Sequence, residues 1–433
     1  MSEKPAPDTP PILTRPERAL LRDLAKEVRD IAREPSQEML RALWKRHNRL
    51  ERVQPLVLVF PEGAWREILP YSRMRMQDGF WTEVEWELRH RIYRWNSLRD
   101  DNVIEASYRV PAAYRNTGWG LDSRILPSPD ETGAYRIEPA IREYEDIGRM
   151  EKPRIIFDWD RSARGVERIG EAIGDILAVS LDRLPKSVDM DYIKYATCID
   201  TSLAGTLARL RGIEPLMYDM YENPSWIHRV MSFMTEATEL LLDELEEERV
   251  LRLNNGGDYV GSGGVGWTDE LPAEGFDPLR VRTRDMWGAA EAQDFTMVSP
   301  EMFGEFILPY QKRLLDRFGL ACYGCCENLD KKLEMIKTIP RLRRISVSPF
   351  TPIAGAAEAL GGDFIFSWKP NPSEMMVTFD EERIRRTIRA ALDATRKCVP
   401  EIILKDTHTV MGDPRRMTRW LEICREEIAR CEG

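Results

Sequence analysis

From Ser299 to the C-terminus the sequence repeats one pattern, and that pattern limits the fold more than any other feature. A helical stretch at 299–317 precedes the apolar run LACYG, one at 329–338 precedes RISVS (344–348), and one at 353–360 precedes DFIFSW (363–368). A further helix, Thr378 to Lys397, opens with Thr378 and Glu381 spaced as a capping box and leads to EIILK (401–405). The last helix starts at Asp413-Pro414 and carries Met417, Leu421, Cys424 and Ile428 at helical spacing. Short apolar runs joined through helices pack as parallel strands with right-handed crossovers. The expected fold is α/β, a (β/α)8 TIM-type barrel.

The stretches before Ser299 fit the same frame. PLVLVFPEGAW (55–65) reads as the first buried strand, ended by Pro-Glu-Gly. Helices are expected near 79–97, 160–178 and 202–211, and one at Asn223-Pro224, where an N-cap residue precedes proline. Ahead of the first strand, residues 1–16 hold five prolines and predict a flexible tail. Residues 17–54 predict a helical hairpin extension with stripes Leu20, Leu21, Leu24, Val28 and Met39, Leu43, Leu50, a shape that suits a homodimer. The barrel would then span 55–433.

Charge and hydropathy exclude some functions. Over 433 residues the net charge is −10, and no Lys/Arg block stands clear of acids, which argues against nucleic acid as a partner. No apolar run approaches the roughly 20 residues of a membrane span, and MSEKPAPDTPP lacks a signal peptide's apolar core. A cytoplasmic protein with a small-molecule substrate is expected.

In a parallel barrel, functional groups gather where strands end. Those ends carry Glu62, Asp158, Asp160, Asn255, Asp258, Tyr323 to Glu327, Ser346, Ser348, Lys369 and Asp406 to His408. Gly261 to Gly266 has the spacing of a dinucleotide fingerprint, but Trp-Thr-Asp-Glu-Leu-Pro follows where a helix should open. A loop with Asn255 and Asp258 turned toward a ligand is the better reading. Of seven cysteines, Cys322, Cys325 and Cys326 fall within five residues, which suits a thiol or metal site better than a disulfide framework. Cys325, Cys326 and His408, with Glu327, supply ligand types that zinc accepts. Plain packing of adjacent cysteines stays open beside that. Asp406 suits a partner that fixes the tautomer of His408, and Lys369 suits a substrate carboxylate or the neutralisation of nearby acids. His47, His90 and His228 lie in expected helices and read as packed or solvated.

Taken together, PEGAW (61–65), NTGWG (116–120), GDYVGSGG (257–264), YGCCE (323–327), SWKPNP (367–372) and ILKD (403–406) resemble the uroporphyrinogen decarboxylase superfamily, specifically its corrinoid-dependent methyltransferase branch, which includes O-demethylase methyltransferases. The resemblance covers about residues 55 to 430. It implies a methyltransferase that takes a methyl group from a small ether- or amine-type substrate and passes it to the cobalt of a separate corrinoid protein. The DxHxxG pattern of corrinoid binders is absent from this chain, so the corrinoid would arrive on that partner. The branch's zinc enzymes carry His-x-Cys at one strand end and Cys at the last. Here Tyr323-Gly324-Cys325 keeps one ligand and replaces the other, and His408 stands near the final position. Glu327 and Asp406 are the implied catalytic acids; Tyr323, Asn255, Asp258, Trp287 and Lys369 are expected around the substrate. The arginine pair of true uroporphyrinogen decarboxylases does not occur near the first strand. Two alternatives stand beside this: a metal-independent lyase for a carboxylated substrate, and a non-catalytic binding scaffold.

Overall fold

The computed structural model describes residues 10–126, 136–184 and 201–432, which leaves most of the expected 1–16 tail outside. It is mixed α/β, and its contacts define two units built from interleaved segments. One comprises Met1–Ala113, Phe157–Arg183 and Trp368–Gly433; the other comprises Tyr114–Ile156 and Leu184–Ser367. The sequence reading set 17–54 apart from 55–433, whereas each observed unit gathers separate stretches.

In the first unit, helix Arg15–Ala32 is opened by a capping box: Thr14 N–H donates to Glu17 Oε2 (2.8 Å) and Glu17 N–H to Thr14 Oγ1 (3.5 Å). Its buried face of Leu21, Leu24, Ala25, Val28 and Ile31 joins one cluster with Trp81, Val84, Leu88, Tyr108, Val110, Ile169 and Ile173. Each fully buried aliphatic side chain there contributes about 1.5–3 kcal/mol relative to exposure. The second helix, Pro35–Asn48, departs from expectation. It buries Gln37, Trp44, His47 and Asn48, while Met39 is 61% exposed. Polar partners set its rotation: the Trp44 indole donates to Asp101 O (2.7 Å), and His47 Nε2 lies 3.2 Å from buried Glu401 Oε2. An apolar stripe count does not register such contacts.

Strand Leu56–Val59 runs parallel to Val399–Leu404, from Leu56 opposite Glu401 to Val59 opposite Leu404. Its N–H groups are also met by carboxylates: Val57 donates to Asp101 Oδ2 (2.7 Å) and Val59 to Asp100 Oδ2 (3.2 Å). The expected Thr378/Glu381 capping box does not form. Ser373–Thr378 is a π-helical turn, Phe379 takes φ +45°, and helix Glu381–Ala394 is capped by Asp380, whose side chain accepts from Arg383 N–H (3.1 Å).

In the second unit, helix Pro224–Glu247 starts where expected, with Asn223 Oδ1 accepting from Trp226 N–H (3.3 Å). Strands Trp287–Ala290, Leu320–Tyr323, Leu342–Val347 and Ile365–Trp368 are neighbours in that order. The first two pairs are parallel, with Ala290 beside Tyr323 and Tyr323 beside Ile345. The expected helix 299–317 is two helices, Pro300–Phe306 and Leu308–Leu315, broken at Ile307 (φ −120°). Pro309 explains the break, since it has no N–H to donate and its ring crowds the preceding turn. The expected helix 329–338 shrinks to a 3-10 turn, Asp330–Lys332, and one α turn, Leu333–Ile336. Among the described residues no helix is long and apolar enough to cross a membrane.

Candidate functional site

The turn after strand Leu320–Tyr323 is held by side chains at several main-chain groups. Gly324 sits at φ +92°, where a Cβ would lie 2.8 Å from Leu329 Cδ1, so glycine suits both the backbone and the space. Its N–H donates to Ala290 O (2.8 Å), carrying the parallel ladder one step past the strands. Beyond it, side chains hold the backbone. Cys325 N–H donates to Glu327 Oε2 (2.7 Å), Ser346 Oγ donates to Cys325 O (2.7 Å), and Ser348 Oγ donates to Glu327 O (2.9 Å). Asn328 N–H reaches Thr296 Oγ1 (3.3 Å) and Leu329 N–H reaches Thr351 Oγ1 (3.2 Å).

Glu327 closes this frame. It is 2% exposed, and its second oxygen, Oε1, accepts from Ala292 N–H (3.0 Å). Burial raises its affinity for a proton, and the neighbouring Cys325 adds to that; backbone hydrogen bonds pull the other way. With both oxygens occupied by main-chain donors, Glu327 positions the turn and is walled off from a ligand. Lys332, 4% exposed, donates to Phe295 O (2.9 Å) and sits 5.1 Å from the Phe303 ring centre. Burial lowers its pKa, and the charge of Glu327 partly restores it.

Two half-buried thiols project from this rigid turn. Cys325 Sγ and Cys326 Sγ are 3.6 Å apart, and Ser262 Oγ donates to Cys325 Sγ (3.2 Å). Ser262 comes from the hairpin Tyr259–Val260/Gly263–Val265, the stretch that mimics a dinucleotide fingerprint. Its glycines serve close packing: a Cβ on Gly261 (φ +66°) would lie 2.6 Å from Cys322 Cβ, and one on Gly264 2.5 Å from the Arg344 guanidinium. Asp294, half-buried after strand Trp287–Ala290, is held above the usual carboxylate range by burial; Arg209 opposes the shift and Cys325 adds to it. A Cβ on Gly205 would lie 3.1 Å from Asp294 Oδ2 and 3.8 Å from Arg209 Nη1, so acid and guanidinium crowd the same spot.

Of the residues singled out in the sequence, Cys325, Cys326, Glu327 and Tyr323 stand together on this turn. Tyr323, 1% exposed, donates to Gln311 Oε1 (2.7 Å), and Gln311 Nε2 donates to Ser202 O (2.7 Å) and Glu291 O (2.6 Å). Burial, then the charges of Glu327 and Glu291, push its pKa up, so its hydroxyl stays protonated. Asn255 donates to Leu271 O (2.8 Å), Asp258 pairs with Arg252 (2.9 Å), and the buried Trp287 donates to Gly266 O (3.0 Å). Asn255 and Asp258 hold their own loop, and Trp287 ties its strand to that loop's end. Asp294 and Ser262 escaped the sequence reading. Trp-Gly-Ala-Ala is too poor in branched residues to announce the strand that precedes Asp294, and Ser262 hid inside a glycine motif.

Lys369, Asp406 and His408 belong to the other unit. Lys369 is 2% exposed; Asp406 takes φ +56° and pairs with Lys405 (3.6 Å); His408 is exposed and packs on Gly63, where a Cβ would lie 2.8 Å from His408 Nδ1. Glu67 holds that loop, accepting from Val410 N–H (3.1 Å) and Gly412 N–H (2.8 Å).

For zinc, the described residues fit in part. Two sulfurs on one tetrahedral ion would be separated by about 3.8 Å, given bonds of about 2.3 Å, and the observed 3.6 Å matches that. A third ligand is not gathered: among the described residues no group of three or more His, Cys, Asp or Glu is arranged to hold a metal.

No family model matches the chain, and no curated protein does. Among solved structures, a methyltransferase from Methanosarcina mazei is similar over 90% of this chain and 99% of its own, at 10% identity and a TM-score of 0.49. A likeness at that level assigns neither family nor activity.

Proposed function

We propose that the chain is a methyltransferase that demethylates a small ether- or amine-type substrate and passes the methyl group to the cobalt of a corrinoid held by a separate protein. Closure of its parallel strands into a (β/α)8 barrel is part of the same reading, as are a cytoplasmic location and a homodimer. The observation that carries it is the pair of sulfurs, 3.6 Å apart and half-buried, on a strand-end turn whose main chain is fixed on all sides. Such a turn presents soft donors without reorganisation when a ligand arrives. Cys325 and Cys326 would be the sulfur ligands of zinc; a bound zinc supplies a Lewis acid at the substrate heteroatom.

The remaining roles belong to the chain's own groups. Glu327, Ser346 and Ser348 orient the thiols. Asp294, half-buried and held above the usual carboxylate range by burial, would hand a proton to the departing heteroatom. Asp406 and Lys369 keep their expected roles as acid and carboxylate partner in the other unit.

The test is incubation with a reduced corrinoid protein and a panel of methylated ethers and amines, followed by corrinoid absorbance. Methylation that requires a donor and disappears in Cys325→Ala supports the reading. Carbon dioxide release from a carboxylated substrate that survives Cys325→Ala would replace it with the lyase.

A further inference from the structure

We propose that Cys325 and Cys326 form a redox modification site, closing a vicinal disulfide with a low-molecular-weight disulfide as oxidant and reopening with thiol. The two sulfurs are 3.6 Å apart on consecutive residues, so about 1.5 Å of approach brings them to the roughly 2.05 Å of a disulfide bond. Side-chain rotation must supply that approach, because Glu327 holds the Cys325 N–H and Ser346 holds its carbonyl. Both thiols are half-buried and within reach of a small oxidant, whereas Cys322, Cys398 and Cys424 are buried.

The reaction balances in two exchanges. One protein thiol loses its proton to solvent and attacks the oxidant RSSR, whose S–S bond breaks to give a protein mixed disulfide and one RSH. The neighbouring thiol, losing its proton in turn, attacks the protein sulfur of that mixed disulfide and expels the second RSH. The cysteine pair has lost two electrons and two protons, and the oxidant has become two thiols.

Strain makes this bond labile. Consecutive Cα atoms are about 3.8 Å apart, shorter than the roughly 4.4–6.8 Å of ordinary disulfides, and strained disulfides are the readily reduced ones. The site is therefore a reversible modification and not a staple. It goes beyond the methyl-transfer reading, since closure removes both sulfurs as ligands whatever they otherwise bind.

The experiment uses the full chain carrying Cys431→Ser, which removes the one exposed thiol among the described residues, after chelator treatment to strip metal. The reduced protein is equilibrated with oxidised glutathione, its thiols are blocked, and the peptide spanning 325–326 is weighed. The expected product lacks two hydrogens and carries no adduct, and modest excess glutathione restores both thiols. Cys326→Ser, checked by circular dichroism, is expected to trap a glutathione adduct on Cys325. Two alkylated thiols, a separate adduct on each, or a link to another cysteine or chain would overturn the proposal. Metal content and methyl transfer are read separately, so failure here is distinct from failure of the functional reading.

Discussion

Two strand-end turns carry the residues that the sequence marked as one metal site, and they are built differently. The turn Gly324–Glu327 is fixed from within: a buried carboxylate and two serines take up its main-chain groups, and two thiols are what it presents. The turn after Val399–Leu404 is pinned at its far end by Glu67, and its histidine lies exposed against a glycine. Pre-organised chemistry belongs to the first kind, because buried hydrogen bonds set a thiol's position far more tightly than surface packing sets an imidazole's.

Substitutions break or sharpen that contrast. The largest effect is expected from Glu327→Ala. It leaves the N–H groups of Cys325 and Ala292 buried without an acceptor, at about 1–3 kcal/mol each, so denaturant unfolding should show a loss of about 3 kcal/mol. Glu327→Gln keeps one acceptor oxygen and should lose about half of that. A Glu327→Ala protein as stable as wild type would mean the turn is not held from within.

Glycine replacements compare the turns directly. Gly324→Ala forces a left-handed φ on a residue with a Cβ and presses it on Leu329, which should cost about 1–2 kcal/mol or more. Gly63→Ala meets the exposed His408 ring, which can swing away, and the His408 Cα at 3.2 Å, which must give by a few tenths of an ångström, so about 1 kcal/mol or less is expected. Equal losses would erase the distinction.

The last effect concerns pH. Burial raises the proton affinity of Glu67, but hydrogen bonds from Thr409, Gly412 and Val410 outweigh it and hold the carboxyl below its ordinary range. A group with lowered folded pKa stabilises above its unfolded value, and the contribution is lost as pH falls through the folded one. Glu67→Gln should therefore be less stable than wild type at neutral pH by about 1 kcal/mol, and the gap should close in acid. A gap that persists in acid would assign the loss to packing.

The alternation of strands and helices after Ser299 was legible because buried parallel strands read as continuous apolar runs bounded by turns. Strand Trp287–Ala290 was not, being mostly small residues, and Asp294 went unseen with it. The cysteine pair was legible as chemistry, yet the rigidity of its turn was not. Ser346 and Ser348 reach back 21 residues to Cys325 and Glu327, contacts that no local pattern encodes. Glu327 read as a catalytic acid because a carboxyl beside cysteines suggests one; in the fold its oxygens are taken by main-chain N–H groups. The second helix misled in a similar way, because Trp44 and His47 choose its buried face through polar partners.

The central claim is that Cys325 and Cys326 act as one pair of soft ligands. Metal content of anaerobically purified, reduced protein tests it most directly, with wild type set against Cys325→Ser and Cys326→Ser. The account predicts about one zinc per chain in wild type and little in either variant. A wild-type protein that stays metal-free after zinc is supplied, or variants that keep their metal, would contradict it.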